Sequence, residues 1–538
     1  MRAVVRLGLV QARRDHTVLA VWILGIALLG LVTSTAVAGQ FGNDERASLI
    51  SVAAASPAFL FLRGLPDGTG IGAVVFFQGY SFTAVLAGLM STLLVMRHTR
   101  ADEALGRSEL VGSTPVPRTA PLAATLLLGA CVNLILAVAV AAGFAAAGLP
   151  ATGSLVAGAA VGAVGLFFGG AAAVVAQALP SGRSANGAAA GLVGAAYLIR
   201  GIGDALGTPD AGLVRVTAAW PSLLSPIGWG QRSRPFTAGD PVPLLVLIAA
   251  ASVLAAAAVL VRNRRDLGAS VLHEGDGKDR AGAGEASFLR LAWRLQRSPL
   301  TGWCIAALVL GAVAGGLGPV VGDALAGNLS LQNLISRLLP GSQADIVDLF
   351  TTALLGMAGV LAASAGIQAV LRLRAEEAEG QAELLLAVPR SRARWLAAQL
   401  VLAALSVTAV AATAGTAAAI GLGLSGAGSS SGGTIVAAAL AHVPAAAVFP
   451  VVASLVVAVA PRLGSLLGWG FLAVGLILGQ FGELLGLPGW VQDISPFRHS
   501  PAMPVESFDA GQALAMTAIA LAGAALATYL IRRRDLTA

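Results

Sequence analysis

Apolar runs of roughly 20 residues recur along the whole chain, and that feature limits what it can fold into more than any other. Each run is long enough to cross the ~30 Å hydrocarbon core of a bilayer as a helix. Inside hydrocarbon every backbone N–H and C=O must be paired within the protein, so only helices and closed barrels can span it. The runs are made of Ala, Leu, Val and Gly without strict alternation. A barrel strand would alternate at period two. The expected fold class is an all-α integral membrane protein. Only 11% of the residues are charged, against about 25% in a soluble domain.

Twelve spans are expected, at 18–38, 73–96, 120–144, 152–178, 186–203, 241–261, 300–320, 349–371, 396–421, 434–459, 464–481 and 511–531. Twelve is even, so both termini lie on one side. The termini, with the links 97–118, 179–185, 262–298, 372–394 and 460–463, hold 26 of the 34 Lys and Arg residues. The positive-inside rule places that set in the cytoplasm. The net charge of +7 therefore reports orientation rather than a nucleic-acid partner. Lys278 is the only lysine, and Ala and Gly are abundant, as in a GC-rich bacterial genome. The expected location is the bacterial cytoplasmic (inner) membrane, with the first span as its own insertion signal.

One charged link is present twice. Residues 100–118 read RADEALGRSELVGSTPVPR, and residues 374–392 read RAEEAEGQAELLLAVPRSR. At one constant offset Arg100 falls on Arg374, Asp102 on Glu376, Glu103 on Glu377, Gly106 on Gly380, Glu109 on Glu383 and Pro115 on Pro389. Trp220 with Ser225-Pro226 likewise matches Trp490 with Ser495-Pro496, and RRDL occurs at 264–267 and 533–536. The chain reads as two parallel repeats of six spans, 1–270 and 299–538. Between them lies 271–298, a flexible Gly-rich linker followed by a basic amphipathic segment. That segment, SFLRLAWRLQR, and the N-terminal MRAVVRLGLVQARRDH both read as helices lying on the inner membrane surface. The outward loops before spans 6 and 12 are expected to hold short re-entrant helices.

Residues 100–111 are good helix formers, with Pro115 just past a plausible end. Gly106 and Gly380 then fall inside a helix, where Gly costs about 1 kcal/mol relative to Ala. Keeping that cost twice implies a close backbone approach or a bend. Two matching acidic surfaces on one side suggest docking of two copies of one soluble partner.

With these residues the chain resembles the permeases of ABC-2-type exporters. The motif RA[DE]EAxGxxEL…P is similar to theirs, and SPIGWGQRSRPF (225–236) and SPFRHSPAMP (495–504) look like the branch that exports polyketide antibiotics, the tetronasin-resistance type. The resemblance covers nearly the whole chain. It implies a pseudo-dimeric permease whose fused halves stand for two six-span subunits. A separate ABC ATPase, present twice, would carry ATP and magnesium, and residues 100–115 and 374–389 would be its coupling helices. The implied cargo is a hydrophobic or amphipathic drug or antibiotic.

The chain's own residues fit that division of labour. A P-loop needs G-x-x-x-x-G-K-[ST], and Lys278 lies in EGDGKDR with no Ser or Thr after it. No catalytic constellation or metal-ligand spacing is seen: His16, His98, His273, His442 and His499 are scattered. Cys131 and Cys304 read as small buried hydrophobes. No Asp or Glu is expected well inside a span, which weighs against a gradient-driven multidrug transporter. His442 reads as a hydrogen-bonded residue beside a Pro444 kink. An envelope-lipid exporter and a non-transporting sensor stay open as alternatives. For the substrate pathway the candidates are Phe76, Phe77, Gln78 and Tyr80 in span 2, with Phe350, Thr351 and Met357 in its counterpart. Such residues suit an amphiphile pocket and equally an aromatic belt at the interface.

Overall fold

The computed structural model describes residues 2–40, 42–55, 57–265, 287–326, 346–378, 380–387, 391–426, 430–480 and 488–534. The chain divides into two compact units, Met1–Gly277 and Lys278–Ala538. Each is helical and is described by itself.

Unit 1 opens with α1 (Arg2–Gln40), followed by α2 (Asn43–Ala55), α3 (Pro57–Arg63) and α4 (Ile71–His98). Two short helices come next, α5 (Arg100–Ala104) and α6 (Arg107–Gly112). Then follow α7 (Ala120–Ala146), α8 (Ala151–Ala178), α9 (Gly182–Ala205), α10 (Pro226–Gln231) and α11 (Val242–Arg264). Unit 2 contains α12 (Phe288–Ala326), α13 (Ile346–Ala378), α14 (Gln381–Leu386), α15 (Arg392–Ser425), α16 (Gly432–Leu440), α17 (Val443–Val459), α18 (Gly464–Gln480), α19 (Gly489–Gln492) and α20 (Ala510–Arg533).

Among the described residues, 11 helices are long and apolar enough to cross a membrane, α16 and α17 counting as one. The twelfth expected span, 186–203, forms α9, which has 24 residues but is not among the 11. Its deficit is chemical: Arg200 and Asp204 lie in its last two turns. The basic N-terminal segment also differs from expectation. It is no separate surface helix but the first turns of α1, which runs unbroken for 39 residues, about 58 Å at 1.5 Å per residue. Nothing between Leu9 and Val18 breaks a helix, and Gln11 donates to Thr125 on α7 at 3.0 Å. The segment at 288 likewise continues into α12 through Pro299.

In unit 1 the inner helices are α4 and α8. The outer ones, α1, α7 and α11, expose Leu24, Leu28, Leu134, Val138, Leu245 and Val253. In water such faces would collapse together; in lipid they are the solvated side. Cys131 belongs to this exposed side of α7 rather than to the core, and Cys304 is half-buried. Small residues set the close packing between spans. A Cβ on Gly162 of α8 would lie 2.7 Å from the Asn133 carbonyl oxygen of α7, so only glycine fits there.

The duplicated Ser-Pro pair does the same local work twice. Ser225 caps α10, accepting from the Gly228 N–H, and donates to the Ala196 carbonyl of α9 at 2.7 Å. Ser495 caps a 3-10 turn, Pro496–His499, and donates to the Gly475 carbonyl of α18 at 2.7 Å. Proline at the first helical position suits a turn whose first N–H has no internal partner. Trp220 and Trp490, just ahead of these turns, are exposed, as interfacial anchors are. Ahead of the α10 turn a two-residue hairpin pairs Thr208–Pro209 with Val216–Thr217. Asp210 closes its loop, and the Arg215 and Val214 N–H groups hold that carboxyl below the usual range.

Candidate coupling surface

Residues 100–112 do not form one helix. Gly106 adopts φ 70° and ψ 1°, and Gly380 φ 72° and ψ 2°, both left-handed. Each glycine separates two helices, α5 from α6 and α13 from α14. The expected glycine inside a helix is therefore corrected to a glycine between helices. Nothing lies within 4 Å of an added Cβ at either position. The glycine is required by backbone conformation, not by a close approach. Alanine at either position should cost about 1–2 kcal/mol, because an L-residue there clashes with its own carbonyl. Thermal denaturation in detergent would read this, and Gly106→Asn should lose less than Gly106→Ala. Equal stability of all three proteins would remove the conformational argument.

The bend splits the motif into a held part and a displayed part. On the held side Glu103 is gripped by three guanidiniums. Arg100 Nη1 and Arg265 Nη2 reach its Oε2 at 2.9 and 2.7 Å, and Arg262 Nη1 reaches Oε1 at 2.9 Å. Arg100 Nε also donates to the Ala176 carbonyl of α8 at 2.6 Å. Asp102 binds Arg14 of α1 at 2.9 Å and Arg107 at 3.2 Å. Nearby, Asp15 is buried between His98 at 2.9 Å and Arg97 at 3.0 Å. Residues 97–103 are thus tied to α1, α8 and α11.

Unit 2 repeats the grip with changed parts. Glu376 binds Arg372 at 3.1 Å and accepts from Trp395 Nε1 at 2.9 Å. Glu377 pairs with Arg534. Glu103 and Glu377 are matched positions of one repeat, and Arg265 and Arg534 are matched positions of RRDL. The two repeated motifs are therefore ion-pair partners in each unit. Arg262 and Trp395 are not singled out by the sequence pattern alone. A signal for the two RRDL arginines was there, as two duplicated motifs of opposite charge.

The displayed part lies past the glycines. Glu109 and Leu110 are exposed in unit 1, and Glu383 and Leu384 in unit 2. Leu110 is 73% and Leu384 78% exposed. Pro115 is exposed just after α6, and Arg374 is half-buried on α13. Pro389 lies outside the described residues. Of the expected docking residues, then, Arg100, Asp102, Glu103, Glu376 and Glu377 are occupied internally, while Glu109 and Glu383 face outward.

The substrate-pathway candidates sit elsewhere. Phe76 stacks on Tyr80 at 4.5 Å, and the Tyr80 hydroxyl donates to the Ile227 carbonyl of α10 at 2.8 Å. Phe76, Phe77 and Tyr80 are buried, so neither a belt nor an open wall describes them, although Phe76 also touches a pocket of about 430 Å3 beside Asp67 and Phe236. Gln78 is held by Arg63, which donates to its backbone carbonyl at 3.0 Å. Thr351 is buried and bonds within its own helix, and Met357 is half-buried. The Phe350 side chain lies outside the described residues. The unit 1 residues pin α3 and α10 to α4, a packing role that their amphipathic chemistry also suits. His442 is buried with Nδ1 3.0 Å from the Ala438 carbonyl, at a break before α17.

An acidic group that the spacing of the spans did not lead one to expect lies in the last turns of α9. Asp204 and Arg200 are both fully buried, 3.3 Å apart. Ser222 and Gln231 donate to the same carboxylate at 2.9 and 3.2 Å, and the Arg200 guanidinium lies 4.6 Å over the Tyr197 ring.

Comparison with known proteins decides the family. The multidrug efflux system permease protein Rv1217c of Mycobacterium tuberculosis (strain ATCC 25618 / H37Rv) is 33% identical over 538 residues, covering 98% of this chain and 95% of the relative. The chain belongs to this family of multidrug efflux permeases. The profile described as multidrug efflux system permease Rv1217c, C-terminal domain, matches residues 286–532. The permease is thus a multi-pass membrane transporter subunit rather than an enzyme. That profile runs from the start of α12 to the last turn of α20, and so takes in Glu376, Glu377, Glu383 and Leu384.

Proposed function

We propose that the permease is the membrane-spanning subunit of an ATP-driven exporter of the ABC-2 type, in the polyketide-antibiotic (tetronasin-resistance) branch. Its two units act as the two halves of a pseudo-dimer of six spans each, 1–270 and 299–538, joined by 271–298. Two copies of a separate ABC ATPase, carrying ATP and magnesium, dock on the inner face, where both termini also lie. The cargo is a hydrophobic or amphipathic drug or antibiotic, expelled across the bacterial inner membrane. The observation that carries this reading is the matched pair of displayed tips, Glu109-Leu110 and Glu383-Leu384, each set past a left-handed glycine. Each tip is backed by an ion pair to the RRDL arginine that follows a closing span, Arg265 or Arg534. A push on the tip therefore reaches α11 or α20 through a rigid, charged joint rather than through a loose loop.

Gentle detergent pull-down of the tagged chain from its native membrane tests the reading. A P-loop ATPase at two copies per chain is the expected outcome. Its absence across several detergents, with export that persists in ATP-depleted cells and stops with an uncoupler, would return the gradient-driven alternative.

A further inference from the structure

The basic end of unit 1 contains a pocket of about 420 Å3 between α6, the start of α7 and the last turn of α11. Ser108, Val111, Arg118, Pro121, Arg262 and Arg265 form its wall. Arg262 and Arg265 are 8% and 7% exposed, so two charged residues of the wall are more than nine-tenths buried. Both already hold Glu103, which also holds Arg100. Asp102 next door is engaged by Arg14 and Arg107. Among the described residues, the lining of the pocket includes three arginines (118, 262 and 265) and no carboxylate. The cluster favours an anion.

The place narrows the kind of anion. Arg262 is in the last turn of α11, an apolar span, and the pocket therefore sits where hydrocarbon gives way to headgroups. Leu127 of α7 and Leu260 of α11, on the two spans that flank it, are exposed. A guanidinium fork matches the geometry of a phosphate, and basic pockets between spans at this depth recognise anionic headgroups.

The second unit separates ligand binding from folding. In the RRDL alignment Arg262 corresponds to Ile531, and in the motif alignment Ser108 corresponds to Ala382. Ile531 and Ala382 are buried. The grip on the acidic residue survives there as Arg534 on Glu377. The same joint is thus built without the extra arginine and hydroxyl. Those two groups are surplus to the joint, and they line the pocket.

We propose that this pocket binds the phosphate headgroup of one anionic lipid, with Arg118, Arg262 and Ser108 as donors and the acyl chains along α7 and α11. The inference does not rest on the ATPase reading, since the permease alone should bind the lipid. Purified full-length permease would be delipidated and titrated with phosphatidylglycerol or phosphatidylcholine, with bound lipid counted by native mass spectrometry. Phosphatidylglycerol should be retained in preference, and Arg262→Ile, the residue unit 2 already uses, should weaken it about fivefold. Arg118→Gln, at an exposed position, should do the same and keeps the test decisive if Arg262→Ile folds poorly. Equal retention of the two lipids, or unchanged binding in Arg118→Gln, overturns the proposal. Displacement of the lipid by millimolar inorganic phosphate would also overturn it, and would make the pocket a site for a soluble anion.

Discussion

Charge reversal at Glu109 and Glu383 together, E109K with E383K, should abolish export while leaving the permease folded and inserted. Both carboxylates are exposed. No ion pair within the protein involves either among the described residues. Surface substitutions of this kind move stability by no more than about 0.5 kcal/mol. Their effect should fall on the partner. Opposite charge at a docking surface sets encounter and register, and like charge across it costs several kcal/mol. With two tips reversed, ATPase binding should fall by at least about a hundredfold. Drug accumulation in cells reads export, and size-exclusion thermostability reads folding. Either single reversal should leave partial activity, because the other tip still docks. Full export by the double variant would remove these residues from coupling. An unfolded double variant would show that the tips are structural after all.

Asp204→Ala should destabilise the permease by about 3–5 kcal/mol, the usual consequence of leaving one member of a buried ion pair without the other. Neither partner touches solvent, and Ser222 and Gln231 would lose their acceptor at the same time. Those two residues belong to the segment between α9 and α11, so the loss should also free that segment from α9. Replacing both ions, as R200M with D204L, should recover stability to within about 1 kcal/mol, because desolvating a charged pair offsets most of what its attraction contributes. Thermal unfolding in detergent, together with protease sensitivity of residues 206–225, checks both steps. If the single variant unfolds like the wild type, the pair is not a clasp. If the double variant is as unstable as the single, the charges themselves are needed.

Hydropathy determined the class of this protein and most of its spans, because a bilayer leaves the backbone polar groups of such runs only a helical solution. The repeat of R-A-[DE]-E-A likewise marks, by its spacing and duplication, the segment that carries the candidate coupling surface. Three things needed the tertiary structure. Which acids are displayed could not be read from spacing: Glu103 and Glu109 look alike in sequence, and only packing against Arg262 and Arg265 distinguishes them. The glycine between the two short helices read as a costly helical residue, since φ is not written in composition and the left-handed turn appears only once both helices are placed. The span expected at 186–203 is a helix whose last turns carry Arg200 and Asp204, and spacing did not show that these two meet. Their charges are costly in lipid singly, yet tolerated when side chains from distant segments meet around one carboxylate. The order of residues decides which groups are available and how often they recur. Which of them meet is decided by burial, because the strength of an ion pair depends on what surrounds it.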